Sequence, residues 1–368
     1  MKKAGIITMH NCNNLGASLQ AYATLKNFET LGVEGNLINY TPPCDKDKKA
    51  FLSPPTSISR IRHDLKNLIY PRSFIKRNRN FNKFTSEYLN VTQKEYSIKN
   101  YFEIQKENFD FFVTGSDQTF AMNLQGDPEF RKPFFLPFDV NGKKISYSSS
   151  MGEKIKDLSS ENIAFIKENL SKYDALSVRE DATADYIESL IEKRPVVTFD
   201  PTITLSKEEW EKIEKPVDIK EKYIFFYTVI SVPWVIEYVK ELSKKTGLKV
   251  VTPNPINPAE LNTDFIRINT AGPSEFLFLL KNSEMVITSS FHGTIFSIIY
   301  EKPFASLITG EGNRINTLLK LADMQEFGYR ENQKNEIEIF TPDIDKVKAL
   351  IEKAKKTNED YLKQNLEI

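Results

Sequence analysis

Histidine is scarce in this chain, and its placement directs attention to one segment. The three histidines are His10, His63 and His292. His292 follows two hydroxyl side chains in Ser289-Ser290-Phe291-His292-Gly293. Because an imidazole titrates near neutral pH, it can donate or accept a proton during a reaction. We expect a strand-to-helix turn here, with His292 as a catalytic group and Ser289 and Ser290 as substrate-binding groups.

Other polar groups follow short apolar runs. Asp117, in Gly115-Ser116-Asp117-Gln118, can act as a general base or bond two sugar hydroxyls, or it can cap the next helix. Arg179 suits two-pronged binding of a carboxylate or phosphate, although a lone arginine is more often part of a surface ion pair. The further substrate-binding candidates lie in turns after predicted strands: Asn14, Gly16, Ser116, Gln118 and Ser149.

Strand-like and helix-like runs alternate around these residues, which is typical of parallel βαβ units. Strands are predicted at 4–9, 33–40, 109–114, 143–148, 175–178, 196–199, 223–229, 249–252, 265–268, 285–288 and 303–307. Helices are predicted at 17–31, 161–170, 182–191, 233–246, 274–283 with Ser274 as N-cap, 294–300, 316–322 and 344–366. Residues 41–58 are predicted to be loop and 60–105 mostly helical.

A chain of 368 residues exceeds the usual size of one hydrophobic core, so two domains are expected. We place an N-terminal α/β domain at 1–205, with a basic helical insertion around 60–105, and a second Rossmann-like domain at 206–340. A C-terminal helix at 341–368 is expected to pack back on the first domain. Ligands of parallel sheets bind at the carboxyl ends of strands, so we expect the site in a cleft between the domains.

Composition argues against several classes of function. Fifty basic side chains balance fifty acidic ones, so no global field attracts nucleic acid. Two cysteines make no disulfide framework or metal site and indicate a reducing, cytoplasmic location. The glycine fingerprints of dinucleotide and P-loop sites are absent. A nucleophile pair of Cys12 and His10 is disfavoured, because such pairs usually come from distant segments.

One segment is strongly basic. Residues 60–83 carry eight Lys or Arg side chains against one acid, Asp64. A solvated helix face is the commoner origin of such a run. The alternative is a surface for a phosphate-bearing substrate or for an anionic membrane.

Taken together, the motifs resemble the polysaccharide pyruvyl transferase family. The matching segments run in order along nearly the whole chain. They are His10-Asn-Cys-Asn-Asn-Leu-Gly-Ala-Ser-Leu-Gln-Ala-Tyr-Ala23, Val113-Thr-Gly-Ser-Asp-Gln118, Ser146-Tyr-Ser-Ser-Ser-Met-Gly152, Ser177-Val-Arg-Glu180, Asp200-Pro-Thr202, Thr288-Ser-Ser-Phe-His-Gly-Thr294, Lys302-Pro-Phe304 and Asn313-Arg-Ile315.

The resemblance implies a GT-B-like fold of two Rossmann-like domains. It also implies transfer of pyruvate from phosphoenolpyruvate, a co-substrate, to a sugar diol, which gives a cyclic ketal in a surface polysaccharide. No metal or cofactor is required. By this resemblance Arg179 would bind the donor anion and His292 would protonate the donor or bind its phosphate. Asp117 would orient or deprotonate the acceptor, and Arg314 would add a second cation.

One position departs from the family pattern. Ser290 stands where the family tends to have an arginine, so Arg314 would have to compensate by reaching across the cleft. A nucleotide-sugar glycosyltransferase and a non-catalytic glycan-binding protein of the same fold are competing interpretations. The acceptor is expected to be a sugar or a lipid-linked glycan, and a lipid-linked one would bring the protein to the inner face of the membrane.

Overall fold

The computed structural model describes residues 1–52, 58–124, 126–152, 155–229, 232–254, 263–310 and 313–368. Within these ranges the strands form one sheet of seven and one of six. The chain divides into two compact units. Unit 1 comprises Met1–Pro71, Asn82–Thr204 and Ala354–Ile368, and unit 2 comprises Arg72–Phe81 and Leu205–Lys353.

Unit 1 contains the larger sheet, in the order β3-β2-β1-β4-β5-β6-β7. Its strands are β1 (Lys3–Ile7), β2 (Glu34–Tyr40), β3 (Val91–Tyr96), β4 (Phe111–Asp117), β5 (Lys143–Ser149), β6 (Ser177–Val178) and β7 (Val196–Val197). All neighbouring pairs are parallel, so their carboxyl ends share one edge. Buried aromatic side chains, including Phe112, Phe120 and Phe134, fill the core beside this sheet.

Unit 2 contains the second sheet, in the order β10-β9-β8-β11-β12-β13, and it is also parallel. Its strands are β8 (Tyr223–Tyr227), β9 (Lys249–Thr252), β10 (Ile266–Arg267), β11 (Met285–Thr288), β12 (Phe304–Leu307) and β13 (Gly328–Tyr329). Buried residues such as Phe226, Val235 and Ile287 form its core. Two parallel sheets with helical crossovers are the two Rossmann-like domains that the sequence predicted.

The helices connect these strands. They are α1 (Leu15–Thr30), α2 (Pro43–Lys49), α3 (Ile58–Ile69), α4 (Pro71–Tyr88), α5 (Ser160–Leu170), α6 (Asp181–Ile191), α7 (Lys207–Glu211), α8 (Pro233–Thr246), α9 (Pro273–Lys281), α10 (Phe291–Ile299), α11 (Asn313–Leu321) and α12 (Ile344–Leu366). None of the helices in the described ranges is long and apolar enough to cross a bilayer.

Helix α4 passes through both units, because residues 72–81 belong to unit 2. Within unit 2, Arg77 Nη1 donates hydrogen bonds to the carbonyl oxygens of Pro253, Asn269 and Ala271, each at 3.2 Å. Its guanidinium also lies 5.1 Å from the ring centroid of Phe81. One member of the basic run is therefore a structural residue and not part of a solvated face.

Local predictions succeeded where the chain has a strong apolar pattern. The predicted bounds of α8, β9, β11 and α12 are those observed. The prediction of loop over 41–58 is wrong for α2, which begins at Pro43 because proline is well suited to the first turn of a helix. The prediction of helix is wrong for β3, a polar strand at the edge of the sheet. Gly272, not Ser274, is the N-cap of α9.

Candidate functional site

The carboxyl end of β4 departs from regular strand geometry at Asp117. Its φ angle is +78°, a left-handed conformation that is costly for a residue with a side chain. The next helical segment described after β4 is a 3-10 helix that begins at Pro128, so Asp117 caps no helix. The carboxylate is buried, and its Oδ1 accepts a hydrogen bond from Arg179 Nη1 at 3.3 Å. Asp117 is therefore held in an unusual conformation by a specific partner.

Arg179, directly after β6, lies between two carboxylates. Its Nη2 is 2.6 Å from Asp200 Oδ2, and its Nε and Nη2 donate to Ser116 Oγ at 3.1 and 2.8 Å. The side chains of Arg179 and Asp200 are 2% and 1% exposed. This is a buried network and not a surface ion pair. Two carboxylates around one guanidinium leave one formal negative charge in excess.

This pairing bears on the role expected for Arg179. A donor anion would meet a guanidinium that already pairs with two carboxylates, so its charge would add to an existing negative excess. Binding of the donor by Arg179 therefore stays a prediction. What the network does in its present form is to fix Asp117.

Two predicted residues lie at the start of α1. Asn14 is its N-cap, because Asn14 Oδ1 accepts from the backbone N–H of Ala17 at 3.2 Å. Gly16 is buried in the first turn. The amide side chain is thus used by the helix, which is the structural alternative for an Asn-rich turn.

Ser149 and Gln118 border the loop that follows β4. Ser149 Oγ donates to the carbonyl oxygen of Thr114 at 2.9 Å and accepts from Thr119 Oγ1 at 3.1 Å. The backbone carbonyl of Gln118 accepts from the buried Arg131 Nη2 at 2.7 Å, whereas the Gln118 side chain is half-buried. Ser149 therefore shapes this edge of the sheet from inside.

Sequence reasoning did not include His10 among the site residues. It lies three residues beyond Ile7, the last residue of β1, and is 2% exposed. Its Nδ1 is 3.1 Å from the carbonyl oxygen of Thr8. Burial is the main cause that lowers the pKa of His10 to about 4. The available signal was its position at the end of the first strand, together with the scarcity of histidine.

The turn after β11 begins α10 earlier than predicted. Ser290 is the N-cap, with its Oγ accepting from the backbone N–H of Gly293 at 3.3 Å, so α10 starts at Phe291 and not at 294. Ser289 Oγ is 2.7 Å from Thr228 Oγ1. A Cβ at Gly293 would lie 2.2 Å from Thr288 Oγ1, so the turn requires glycine. Ser290 therefore has a helix-capping role at the position where the family tends to have arginine.

His292 lies in the first turn of α10 and is buried. Its ring centroid is 5.3 Å from that of Phe291. Arg314, in the first turn of α11, places its Cζ 5.7 Å from the Phe291 ring centroid. Arg314 Nε is buried and has no hydrogen-bond partner among the described residues. A histidine and an incompletely paired cation thus flank one aromatic ring within unit 2.

A cavity of about 730 Å³ opens at the same edge of this sheet. It is lined by residues that follow β8, β12 and β13: Val232, Pro233, Trp234, Ile308, Thr309, Gly310, Arg330, Glu331 and Asn332. In the sheet, β11 lies between β8 and β12, so the loops on both sides of the His292 turn line the cavity. Among the described residues, no three His, Cys, Asp or Glu side chains are grouped to hold a metal ion.

Comparison with known families decides the family. The model for "Polysaccharide pyruvyl transferase" matches residues 14–310. The chain belongs to this family. No curated protein matches this polysaccharide pyruvyl transferase family member in sequence.

Solved structures agree on the fold. UDP-GlcNAc 2-epimerase from Methanocaldococcus jannaschii, in complex with UDP-GlcNAc and UDP, has a TM-score of 0.54 at 12% identity, with 100% of each chain covered. The S. aureus MnaA-UDP structure has a TM-score of 0.52 at 14% identity, covering 100% of this chain and 97% of that one. At such identities the likeness shows a GT-B fold and nothing more.

Proposed function

We propose that this family member transfers the pyruvyl group of phosphoenolpyruvate to a sugar diol and forms a cyclic ketal. Protonation at C3 of the enol makes C2 electrophilic, and one hydroxyl attacks C2. The C2–O bond to phosphate then breaks, the second hydroxyl attacks C2, and both hydroxyls lose their protons. The products are the ketal and inorganic phosphate, with no oxidant or reductant involved.

The observation that carries this proposal is that His292 and Arg314 both lie against the ring of Phe291. The donor has a carboxylate and a phosphate, so it needs cationic or N–H groups. Arg314 has a buried Nε with no hydrogen-bond partner in the described ranges, and the N-terminus of α10 adds a positive dipole. His292 beside them would protonate C3 or bind the phosphate.

Asp117 supports the acceptor half of the reaction. Its carboxylate is buried and held by Arg179, so its orientation is fixed before any substrate binds. A fixed carboxylate is suited to accept the hydrogen bond of a sugar hydroxyl and to take its proton as the C–O bond forms. In this proposal Arg179 is a positioning residue for Asp117.

Thermal unfolding with and without phosphoenolpyruvate tests the donor. We expect phosphoenolpyruvate to raise the melting temperature of the natural protein and of Lys320→Ala, an exposed change on the same helix as Arg314, and to raise that of Arg314→Ala by less at the same concentration. Release of inorganic phosphate on addition of methyl galactoside, methyl glucoside or methyl mannoside would then show transfer. Stabilisation by UDP-GlcNAc in place of phosphoenolpyruvate would favour a nucleotide-sugar glycosyltransferase.

We also propose that α3 binds an anionic membrane surface, where a lipid-linked acceptor would be found. Four apolar side chains of this helix, Ile61, Leu65, Leu68 and Ile69, are 45% to 66% exposed. The polar Asn67 is buried instead and donates to the carbonyl oxygen of Phe51 at 2.9 Å. The same sequence stretch carries Arg60, Arg62 and Lys66. Exposed apolar residues in a basic helix are typical of interfacial helices.

Vesicle sedimentation tests this surface. We expect binding to vesicles that contain phosphatidylglycerol, weaker binding in high salt, and none to pure phosphatidylcholine. The double variant Leu65→Ser, Leu68→Ser should lose binding. The matched control is Val229→Ser, which removes an exposed apolar side chain from unit 2. Equal binding of the double variant and the control would contradict the proposal.

A further inference from the structure

A buried imidazole nitrogen at the end of β1 is not used in the chemistry proposed so far. His10 Nδ1 and the His10 backbone nitrogen both lie 3.1 Å from the carbonyl oxygen of Thr8. Because a carbonyl oxygen only accepts hydrogen bonds, Nδ1 must carry the ring proton, and Nε2 therefore presents a lone pair. Within the described ranges His10 Nε2 has no hydrogen-bond partner. Buried acceptors are seldom left in this condition without a functional reason.

The backbone places this imidazole at the strand end next to that of Asp117. Strands β1 and β4 are parallel neighbours, with Ile7 paired to Thr114. Thr8 Oγ1 donates to the carbonyl oxygen of Ser116 at 2.8 Å, and Gln20 Nε2 donates to Thr8 Oγ1 at 2.8 Å. Thr8, two residues before His10, is therefore bonded to Ser116, the residue directly before Asp117. Unit 1 holds one imidazole and one carboxylate on adjacent strand ends.

Burial, more than any neighbouring charge, keeps His10 neutral. Lys49 of α2 bonds Asn11, and its positive charge adds to the effect of burial, which lowers the pKa of His10 to about 4. The hydrogen bond to Thr8 opposes this shift only in part. Two further charged groups act on the residues near His10: Asp45 of α2, whose charge affects Cys12, and Arg131, whose Nη2 lies 3.6 Å from Met9 Sδ. Neutral His10 therefore has a lone pair on Nε2 that can accept a hydrogen bond at physiological pH.

Cys12 does not compete for this role. Burial, together with the negative charges of Asp45 and Asp117, raises the pKa of the Cys12 thiol to about 12. A thiol that stays protonated is a poor nucleophile, so a covalent Cys12 intermediate is not expected. The acceptors at this edge are the imidazole and the carboxylate.

We propose that His10 Nε2 and the Asp117 carboxylate form a diol-binding subsite, each accepting a hydrogen bond from one of two neighbouring sugar hydroxyls. The assignment of the diol rests on the proposed function, because ring closure of a ketal removes a proton from each of two hydroxyls. As one hydroxyl oxygen bonds to C2, its proton moves to Nε2. The resulting imidazolium returns that proton to solvent or to the released phosphate.

Imidazole NMR tests the subsite without relying on turnover. With only three histidines in the chain, ¹⁵N-histidine labelling gives few signals, and His10→Gln identifies those of His10. The probes are methyl galactoside, methyl glucoside and methyl mannoside. We expect a binding sugar to shift the Nε2 resonance of His10 and to leave Nδ1 nearly unchanged. An analogue without one of the two hydroxyls should shift it less. An Nε2 resonance that does not move at saturating sugar would overturn the proposal.

Two variants separate catalysis from folding. His10→Leu removes the acceptor, whereas His10→Gln keeps an oxygen near the position of Nε2. We expect His10→Leu to raise the KM for the sugar and to lower kcat by about 10²–10⁴, the usual range for a general base, with stabilisation by phosphoenolpyruvate retained. His10→Gln should restore KM more than kcat. Loss of phosphoenolpyruvate binding in both variants would mean a merely structural role.

The same data distinguish this inference from the proposed function. If sugar shifts the His10 signal but no sugar yields phosphate, the subsite stands and pyruvyl transfer fails. If phosphate is released while the His10 signal and the sugar KM of His10→Leu stay unchanged, pyruvyl transfer stands and the subsite fails.

Discussion

The two units differ in how an arginine near the carboxyl end of the sheet is paired. In unit 1, Arg179 lies between Asp117 and Asp200 and also donates to Ser116, so its charge is more than neutralised. In unit 2, Arg314 rests over Phe291 with its Nε making no hydrogen bond to any described residue. The first arginine holds protein carboxylates in place, whereas the second retains capacity for an external anion.

This contrast is the reason for proposing that the acceptor binds beside Arg179 and the donor beside Arg314. A carboxylate held by a buried guanidinium is suited to a neutral hydroxyl substrate, because it can accept a hydrogen bond without moving. A cation stacked on an aromatic ring is suited to an anionic donor.

Arg179→Leu should be the most damaging change. It leaves the carboxylates of Asp117 and Asp200 buried without their counter-charge, which typically costs about 3–5 kcal/mol of unfolding free energy. Urea denaturation measures the loss. Arg194→Ala is the control, since Arg194 is exposed and its ion pairs on the surface of α6 should contribute little. A loss of unfolding free energy no larger than that of the control would show that the pairing of Arg179 with Asp117 and Asp200 does not stabilise the fold.

Acid should weaken unit 1 through His10. In the folded protein the pKa of His10 is about 4, below the ordinary value of 6.5. As the pH falls, the unfolded chain therefore takes up a proton before the folded protein does. The stability that depends on neutral His10 is fully present above pH 6.5 and is lost as the pH falls towards 4. The loss in unfolding free energy reaches about 3 kcal/mol. Urea denaturation from pH 7 to 4.5 should show a shallower fall for His10→Gln; parallel curves would contradict this.

Arg314→Ala should leave stability nearly unchanged and weaken donor binding. A hydrogen bond to a charged group contributes about 1.5–3 kcal/mol, so affinity for phosphoenolpyruvate should fall roughly 10- to 100-fold. Calorimetric titration measures the affinity, and urea denaturation checks the fold. If Arg314→Ala destabilised the protein as much as Arg179→Leu, the contrast between the two arginines would disappear.

Ser290→Ala should have the smallest effect. It removes the side chain that caps α10, and such losses cost about 1 kcal/mol. Ser290→Asn, which retains a capping oxygen, should recover most of the loss. A large drop in phosphoenolpyruvate affinity with little change in stability would instead place Ser290 among the donor-binding groups.

The sequence predicted the alternation of strands and helices because those signals are local. The apolar run of β11 and the periodicity of α8 lie within single elements, and their bounds were predicted correctly. Strand β3 was missed because an edge strand needs little apolar surface, and α2 was missed because two prolines read as loop.

The site was harder to predict, because its contacts join separate strands. Asp117, Arg179 and Asp200 follow β4, β6 and β7, and only the parallel sheet brings them within hydrogen-bonding distance. The sequence indicated each residue singly, but not that the arginine would be occupied by the carboxylates. The absence of a hydrogen-bond partner for His10 Nε2 among the described residues likewise depends on tertiary packing, which no local sequence pattern reports.

The position of Arg77 limits how this protein can be divided into separately expressed fragments. The carbonyl groups of Pro253, Asn269 and Ala271 depend on a donor from a helix that is translated long before them. A fragment beginning at Leu205 would lack that donor, and these three carbonyl groups would lose their hydrogen bonds to Arg77. Unit 2 is therefore not one continuous stretch of sequence. Recombination or truncation at Leu205 would remove residues 72–81, which belong to this unit.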